Sequence, residues 1–332
     1  MKILFSLLFT LSLFYSSFCQ IIYIPTDFLT IQEGIDNSSD GDTILVSPGT
    51  YIENINFNEK EITLASKFIL NNDESYINLT VIDGNQLGSV VTINNCEQAT
   101  IKGFTIQNGD YSEGGGIFIE NTSNILIESC VIQNNLSDDG GGIYINNSQL
   151  SIKLNNLVVI ENNNEGHGGG LAAYDSDLEI SNCQFSQNSS QTGGGMYFAN
   201  SNVNIIYCDI SLNSVENADF NTTGGGIAFS SYSGENSSAI VQNCTFYDND
   251  ADDIETNGIM LAAGGGGVYE LIIINSIIWE NIGEVTNGGI IDVSYSNTQN
   301  DFTGTGNISE VPNFTSIEPN NPDYNLQLGS PC

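Results

Sequence analysis

The chain contains no arginine and only one histidine and one tryptophan; its 5 basic side chains, all lysines, face 40 acidic ones. The formal charge of −35 excludes nucleic acid and anionic membranes as partners, since both are held chiefly by Lys and Arg neutralising phosphates. Long apolar runs are also absent after the first twenty residues, so no later segment can span a bilayer as a helix. The opening MKILFSLLFTLSLFYSSFCQ is the exception, with Lys2 before an apolar stretch from Ile3 to Tyr15 and then small residues. That is the build of a secretory signal peptide over residues 1–19, removed near Cys19. A lipid-anchored Cys19 is the alternative, disfavoured by the bulk of Phe18. The expected location is extracellular, either secreted or on the outer cell surface, with no transmembrane segment after signal removal.

What is present is repetition. Glycine runs precede Ile117, Ile143, Leu171, Met196, Ile227 and Val268, at steps of 26, 28, 25, 31 and 41 residues. A second anchor reads Cys-x-apolar-x-x-Asn, as in Cys130-Ile132-Asn135, Cys183-Phe185-Asn188, Cys208-Ile210-Asn213 and Cys244-Phe246-Asn249. Phe104-Ile106-Gly109 opens this series, and Val158-Ile160-Asn163 and Ser276-Ile278-Asn281 fit it with the cysteine replaced. Between anchors the apolar residues alternate, as in Ile125-Ile127, Leu178-Ile180 and Val203-Ile205, which is strand periodicity with one face buried. A unit of about three short strands cannot bury its own apolar face, so the units must stack. The expected fold is all-β: a single-stranded right-handed parallel β-helix, three short strands per coil, the hand following from the rule for parallel crossovers.

The glycine triplets are then corners and not phosphate cradles. A phosphate-binding loop occurs once and leads into a helix, whereas these triplets recur, precede strands and lack an adjacent Lys-Ser or Lys-Thr. Glycine permits positive φ and close approach of the next coil. The asparagine column is expected to form an inward amide ladder. Cys183, Cys208 and Cys244 should line up as buried free thiols, because parallel Cβ vectors on adjacent coils do not suit a disulfide. Ile31 and Ile35 fall on one side of a short helix expected to plug the first coil. The segments expected are 20–95 for this cap and the first coils, 96–295 for the repeat body, and 296–332 for the last coil, from which the natural chain is expected to continue.

The stretch IQEGIDNSSDGDTILVSPGTYIENI resembles the opening of secreted proteins of the pectin-lyase-like right-handed β-helix superfamily. Gly140-Gly141-Gly142-Ile143 and Phe185-Ser186-Gln187-Asn188 are similar to the GGGI and FxxN repeats of chlamydial polymorphic outer membrane proteins. DYNLQLGSPC resembles the last coil of bacterial surface proteins. This resemblance implies the fold over residues 22–332 but not one activity, since the superfamily includes lyases, hydrolases, adhesins and passengers. Its pectate lyases use Ca²⁺-binding aspartates with a basic residue, usually arginine, and its polygalacturonase-like members use clustered aspartates with histidine. Here arginine is absent, His167 is alone in NEGHGGG, and Lys102 and Lys153 have no acidic cluster beside them in sequence.

No catalytic residue is assigned, although Asp138-Asp139 and the pair Asp175 and Asp177, expected on one strand face, could serve glycoside hydrolysis. Phe118, Tyr144, Tyr197 and Tyr269 each follow a buried corner residue, so alternation turns them outward as a stripe for carbohydrate or a protein partner. Asp248, Asp250 and Asp252 offer alternating hard oxygen ligands suited to Ca²⁺. Widened corners at 214–223 and 250–263 mark the preferred contact side. The expected function is a structural or adhesive surface module binding polysaccharide or a cell-surface protein; the alternative is a polysaccharide lyase or glycoside hydrolase.

Overall fold

Strands such as Asn124–Glu128, Asp177–Ser181 and Asn202–Ile206 bury alternate side chains, and the same position is buried coil after coil, so the apolar residues form columns parallel to one axis. The computed structural model describes residues 19–149, 151–216, 224–231, 237–251, 259–263, 268–281, 289–299, 303–318 and 323–331. Of the expected signal peptide, residues 1–19, all but Cys19 lie outside them. Four parallel sheets of eleven, ten, eight and six strands make the walls, and non-consecutive strands are neighbours in every one. The chain is therefore a parallel β-helix. Neighbouring coils in such a stack lie about 4.8 Å apart.

The columns are in strict register. Ile106, Ile132, Val159, Phe185, Ile210, Phe246 and Ile278 pair in succession along the ten-stranded wall. Phe198, Phe229 and Tyr269 stack inside, with ring centroids 5.4 and 4.9 Å apart. Aromatic stacking of this kind adds stabilisation beyond the buried area.

Corners are made by single residues in the left-handed region, each followed by a side chain turned inward. Asn134, Glu161, Gln187 and Leu212 have φ of 54 to 57°, and each precedes a ladder asparagine. Asn135 donates its Nδ2 to Asn162 Oδ1 at 2.9 Å, and the chain continues through Asn188, Asn213, Asn249 and Asn281 at 2.9–3.0 Å. Each amide also donates to a carbonyl of the preceding coil, Asn188 to Val159 O at 2.9 Å for example. The third coil's member is thus Asn162 and not Asn163. Val131 pairs with Val158 and Ile132 with Val159, which shifts the expected frame by one residue.

A hydroxyl ladder at another corner was not foreseen. Asn121, Asn147, Asp175 and Asn200 are left-handed, and the residues after them bond upward: the Thr122, Ser148 and Ser176 amides donate to Ser148, Ser176 and Ser201 Oγ at 3.1–3.3 Å. Asp175 is therefore a corner residue while Asp177 opens the next strand, so the two do not share a strand face as expected. The third corner carries the thiols. Cys183, Cys208 and Cys244 align on adjacent coils, are unbridged, and donate to carbonyls such as Ser181 O at 3.1 Å and Gln242 O at 3.2 Å. Burial pushes the Cys130 thiol of the same column up to about 12.

The glycine corner holds a fourth strand in six coils, where three per coil were expected. The first glycines of four triplets, Gly114, Gly140, Gly168 and Gly193, have φ of 65 to 68°. The third, such as Gly142 or Gly170, leaves no room for a side chain, since a Cβ would stand 2.6 Å from the next coil's carbonyl. The last expected member of this column, Val268, is displaced: Ile259 pairs with Ile227 in the eight-stranded wall, and Tyr269 pairs with Ser237 in the eleven-stranded one. Gly264–Gly267 lie outside the described residues.

At the N-terminal end, the helix Ile31–Asp36 covers the first coil with Ile31 and Ile35 fully buried. A capping box joins Thr30 and Glu33, and Glu53 accepts from the Ile31 and Gln32 amides at 3.0 Å. Lys60 Nζ donates to the carbonyls of Ile35, Asp36 and Ser38 at 2.7–2.9 Å. Both helix ends, which otherwise leave orphan backbone groups, are thus satisfied from the wall. At the other end, among the described residues of the expected last coil, Asn297–Thr298 joins the ten-stranded wall and Ile308 bridges Asn297 in parallel. Beyond it an antiparallel hairpin, Phe314–Ser316 with Asp323–Leu326, packs Phe314 and Tyr324 on Tyr247 of the ten-stranded wall at 5.3–5.4 Å.

Candidate functional site

The outer face of the eight-stranded wall is where side chains that could do chemistry converge. Phe118, Tyr144, Ala172, Tyr197 and Ala228 occupy one outward column, in register; Tyr174 stands one residue pair along the same wall. Ala172 and Ala199 leave space into which tyrosines lean, so a continuous ring ladder runs Phe118–Tyr144–Tyr174–Tyr197 with centroids 5.5–5.6 Å apart. Phe118 and Tyr144 stack face to face while the later pairs are tilted by 40 and 50°, and Tyr144 and Tyr197 are only 7% exposed. A ligand would meet ring edges and hydroxyls, not the open faces that alternation alone suggested. Tyr269 is absent from this surface: it is fully buried, and its hydroxyl donates to Ser201 O at 2.7 Å.

Beside the ladder, the glycine corner brings up the single histidine. Asp139 Oδ1 accepts from the His167 amide at 2.8 Å and lies 3.0 Å from its Nδ1. The His167 ring rests on Tyr197, centroids 4.4 Å apart, with its edge toward Tyr174. The turn is fixed by Asn164, whose side chain donates to His167 O and accepts from the Gly166 amide. Gly166 has to be small, since a Cβ there would meet Asp139 Oδ1 at 2.5 Å. His167 is therefore not solitary, because its partner comes from the preceding coil 28 residues away.

Glu113 pairs in register with Asp139. Partial burial, then the charges of Glu120 and Asp139, raise its carboxyl above the usual range. The Tyr174 hydroxyl oxygen is enclosed beside Asp139; burial first and Asp139 next push its pKa upward. This corner thus assembles Glu113, Glu120, Asp139, His167 and Tyr174 around the ring ladder. Of these, Asp139 was considered only with Asp138, and Glu113, Glu120 and Tyr174 were not singled out. The signal available in sequence was the eight-residue corner itself, which places Glu113, Asp139 and the residues before Gly168 one above another.

The remaining expected residues lie elsewhere. Lys102 pairs with Glu128 and Lys153 with Glu179, each at 2.8 Å and one coil on. A shallow cavity of about 320 Å³ on the eleven-stranded wall is lined by Asp177, Glu179, Asn202, Asn204, Ser238 and Ile240, and Asp177 there accepts from Asn202 Nδ2 at 3.0 Å. Asp248 is a left-handed corner residue whose carboxyl is raised by burial, then by Glu280 and Asp250. Asp250 opens a short strand, and Asp252 lies outside the described residues, as do 217–223 and 252–258 of the widened corners. Among the described residues, no three His, Cys, Asp or Glu side chains form a metal-binding group, and no helix is long and apolar enough to cross a membrane.

Comparison with solved structures finds the same architecture. Pectate lyase Pel9A superposes with a TM-score of 0.55 at 12% identity, covering 95% of this chain and 91% of that one. A pectin methylesterase in complex with hexasaccharide VII gives 0.44 at 8% identity, covering 88% and 92%. The pectin methylesterase from Yersinia enterocolitica gives 0.38 at 13%, covering 85% and 94%. No curated protein sequence matches the chain. The family profile described as "Right handed beta helix region" matches residues 89–305, which with the stacked parallel walls places this chain in the right-handed parallel β-helix family.

Proposed function

We propose that this protein works outside the cell, secreted or displayed at the surface, as a β-helical module that binds polysaccharide on its eight-stranded wall. The observation that carries this reading is the corner where Asp139, His167 and Tyr174 meet the ring ladder. Polar groups converging on an aromatic surface are what a carbohydrate site requires. The coil spacing of about 4.8 Å is close to the length of one sugar residue, so successive coils could meet successive residues of an extended glycan. The export signal read in residues 1–19, and the pectate lyase of the same architecture, agree with an extracellular polymer as the partner. Binding of soluble oligosaccharides by calorimetry tests the reading: Tyr174→Ala with His167→Ala should abolish it, while Lys153→Met on the eleven-stranded wall should leave it intact.

Cleavage is the second reading, favoured by one observation: Glu113 and Asp139 are register neighbours in unlike environments, the first with its carboxyl raised by partial burial and neighbouring carboxylates and the second hydrogen-bonded to His167. Such a pair suits general acid and base roles in glycoside hydrolysis. Release of new reducing ends, lost in Glu113→Gln, would establish it. Calcium at Asp248, Asp250 and Asp252 is a separate proposal; lanthanide luminescence abolished by Asp250→Asn would support it.

A further inference from the structure

The identity of the polysaccharide is constrained by which hydrogen-bonding groups the corner offers. Asp139 is within 3.0 Å of His167 Nδ1, and a carboxylate can only accept, so Nδ1 carries the proton. In the neutral ring Nε2 is then a lone-pair acceptor. The His167 side chain is 42% exposed, on the outer face of the wall beside Tyr197. Glu113, Glu120 and Asp139 add carboxylate oxygens, again acceptors.

Nothing cationic offsets them. Among the described residues, Lys60 is bound to the helix carbonyls, Lys102 and Lys153 are paired on the eleven-stranded wall, and Lys67 stands at the start of the short helix Phe68–Asn71. The raised carboxyl of Glu113 agrees, since Glu120 and Asp139 contribute to it.

We infer that the eight-stranded wall takes a non-anionic glycan, one that presents hydroxyl or ammonium donors to His167 Nε2 and the flanking carboxylates, and that it rejects polyuronates. This inference rests on the polysaccharide-binding reading and sharpens it. A uronate chain would bring acceptors to acceptors and negative charge to an uncompensated negative wall. Like charges placed together at a site disfavour the wrong partner strongly.

The test is calorimetry of the full-length mature protein with three hexasaccharides of matched length: a neutral glucan, a glucosamine oligomer and a galacturonate oligomer. Binding of the glucan or the glucosamine oligomer at least tenfold tighter than the galacturonate supports the inference. The two supporting arms separate hydroxyl from ammonium recognition. His167→Phe, which keeps a ring against Tyr197 and removes the acceptor, should weaken the preferred oligomer at least tenfold; unchanged affinity would overturn the role given to Nε2. Glu179→Gln on the other wall controls for nonspecific attraction of cations and should change nothing. Galacturonate bound as tightly as the others would overturn the inference while leaving polysaccharide binding in place. No binding of any oligomer would instead remove the binding reading itself.

Discussion

At the level of single residues, the ladder asparagines hold more than their own side chains. Asn188 Oδ1 accepts from both the backbone and the side chain of Asn162, while its Nδ2 donates to Val159 O and Asn213 Oδ1. It is fully buried, so truncation leaves four partners without water to replace it. Each unsatisfied buried group costs about 1–3 kcal/mol, and we expect Asn188→Ala to destabilise by roughly 3 kcal/mol or more in urea unfolding. Asn163→Ala, one residue from the ladder, should cost little. That contrast also explains what sequence could reveal. The column was legible because asparagine recurs at fixed spacing after an apolar pair. The member after Asn135 is shifted by one from the expected frame because Asn162, Asn163 and Asn164 are consecutive and the first cysteine of the frame is replaced by Leu157. The hydroxyl ladder had an equally regular signal, Asn-Thr, Asn-Ser, Asp-Ser and Asn-Ser at 121, 147, 175 and 200, but serine and threonine are too common in turns for the pattern to stand out.

Two elements outside the coils depend on single charged groups. Lys60 supplies hydrogen bonds to three carbonyls at the end of the capping helix, where a cation is also favoured by the helix dipole. Lys60→Met should lower stability by about 1–2 kcal/mol and speed amide exchange over residues 31–36 before the walls respond. The C-terminal hairpin carries the opposite liability. Asp209, on the wall beneath it, is raised to about 6 by burial and then by Asp323 of the hairpin. A carboxyl whose folded pKa exceeds its unfolded value of 3.8 binds its proton more tightly in the native state. The associated stability is present below pH 3.8 and is lost as pH rises through about 6. Amide protection factors in 314–318 and 323–326 should therefore fall between about pH 4 and 6, and Asp209→Asn should flatten that dependence. Neither the hairpin nor the inward turn of Tyr269 was legible in sequence. Both depend on long-range packing: Tyr269 follows a glycine run like those at the other corners, yet it opens a different wall.

For the molecule as a whole, stability should behave largely as a sum of coil and neighbour terms, because each coil packs on the ones above and below it, the Tyr269 hydroxyl on Ser201 O two coils back being an exception. Asn162 and Asn188 occupy equivalent positions, and so do Val159 and Phe185. Deleting residues 163–188 would therefore join Asn162 to Ser189, the residue that follows Asn188, and remove one complete coil with every column still aligned. The shortened chain should fold cooperatively, keep its parallel-sheet circular dichroism, and lose only the length of one coil spacing, about 4.8 Å, by solution scattering. It would also lack His167 and Tyr174, so glycan binding should vanish in a protein that is still folded. Deleting residues 163–175 removes half a coil, puts strand residues against corner residues from that point onward, and should prevent folding. If the whole-coil deletion unfolded the chain as completely as the half-coil deletion, the units would not be equivalent and the stacking account would fail. If it folded and still bound glycan, the site would have to lie away from the Asp139–His167 corner, with the shallow cavity on the eleven-stranded wall as the next place to look.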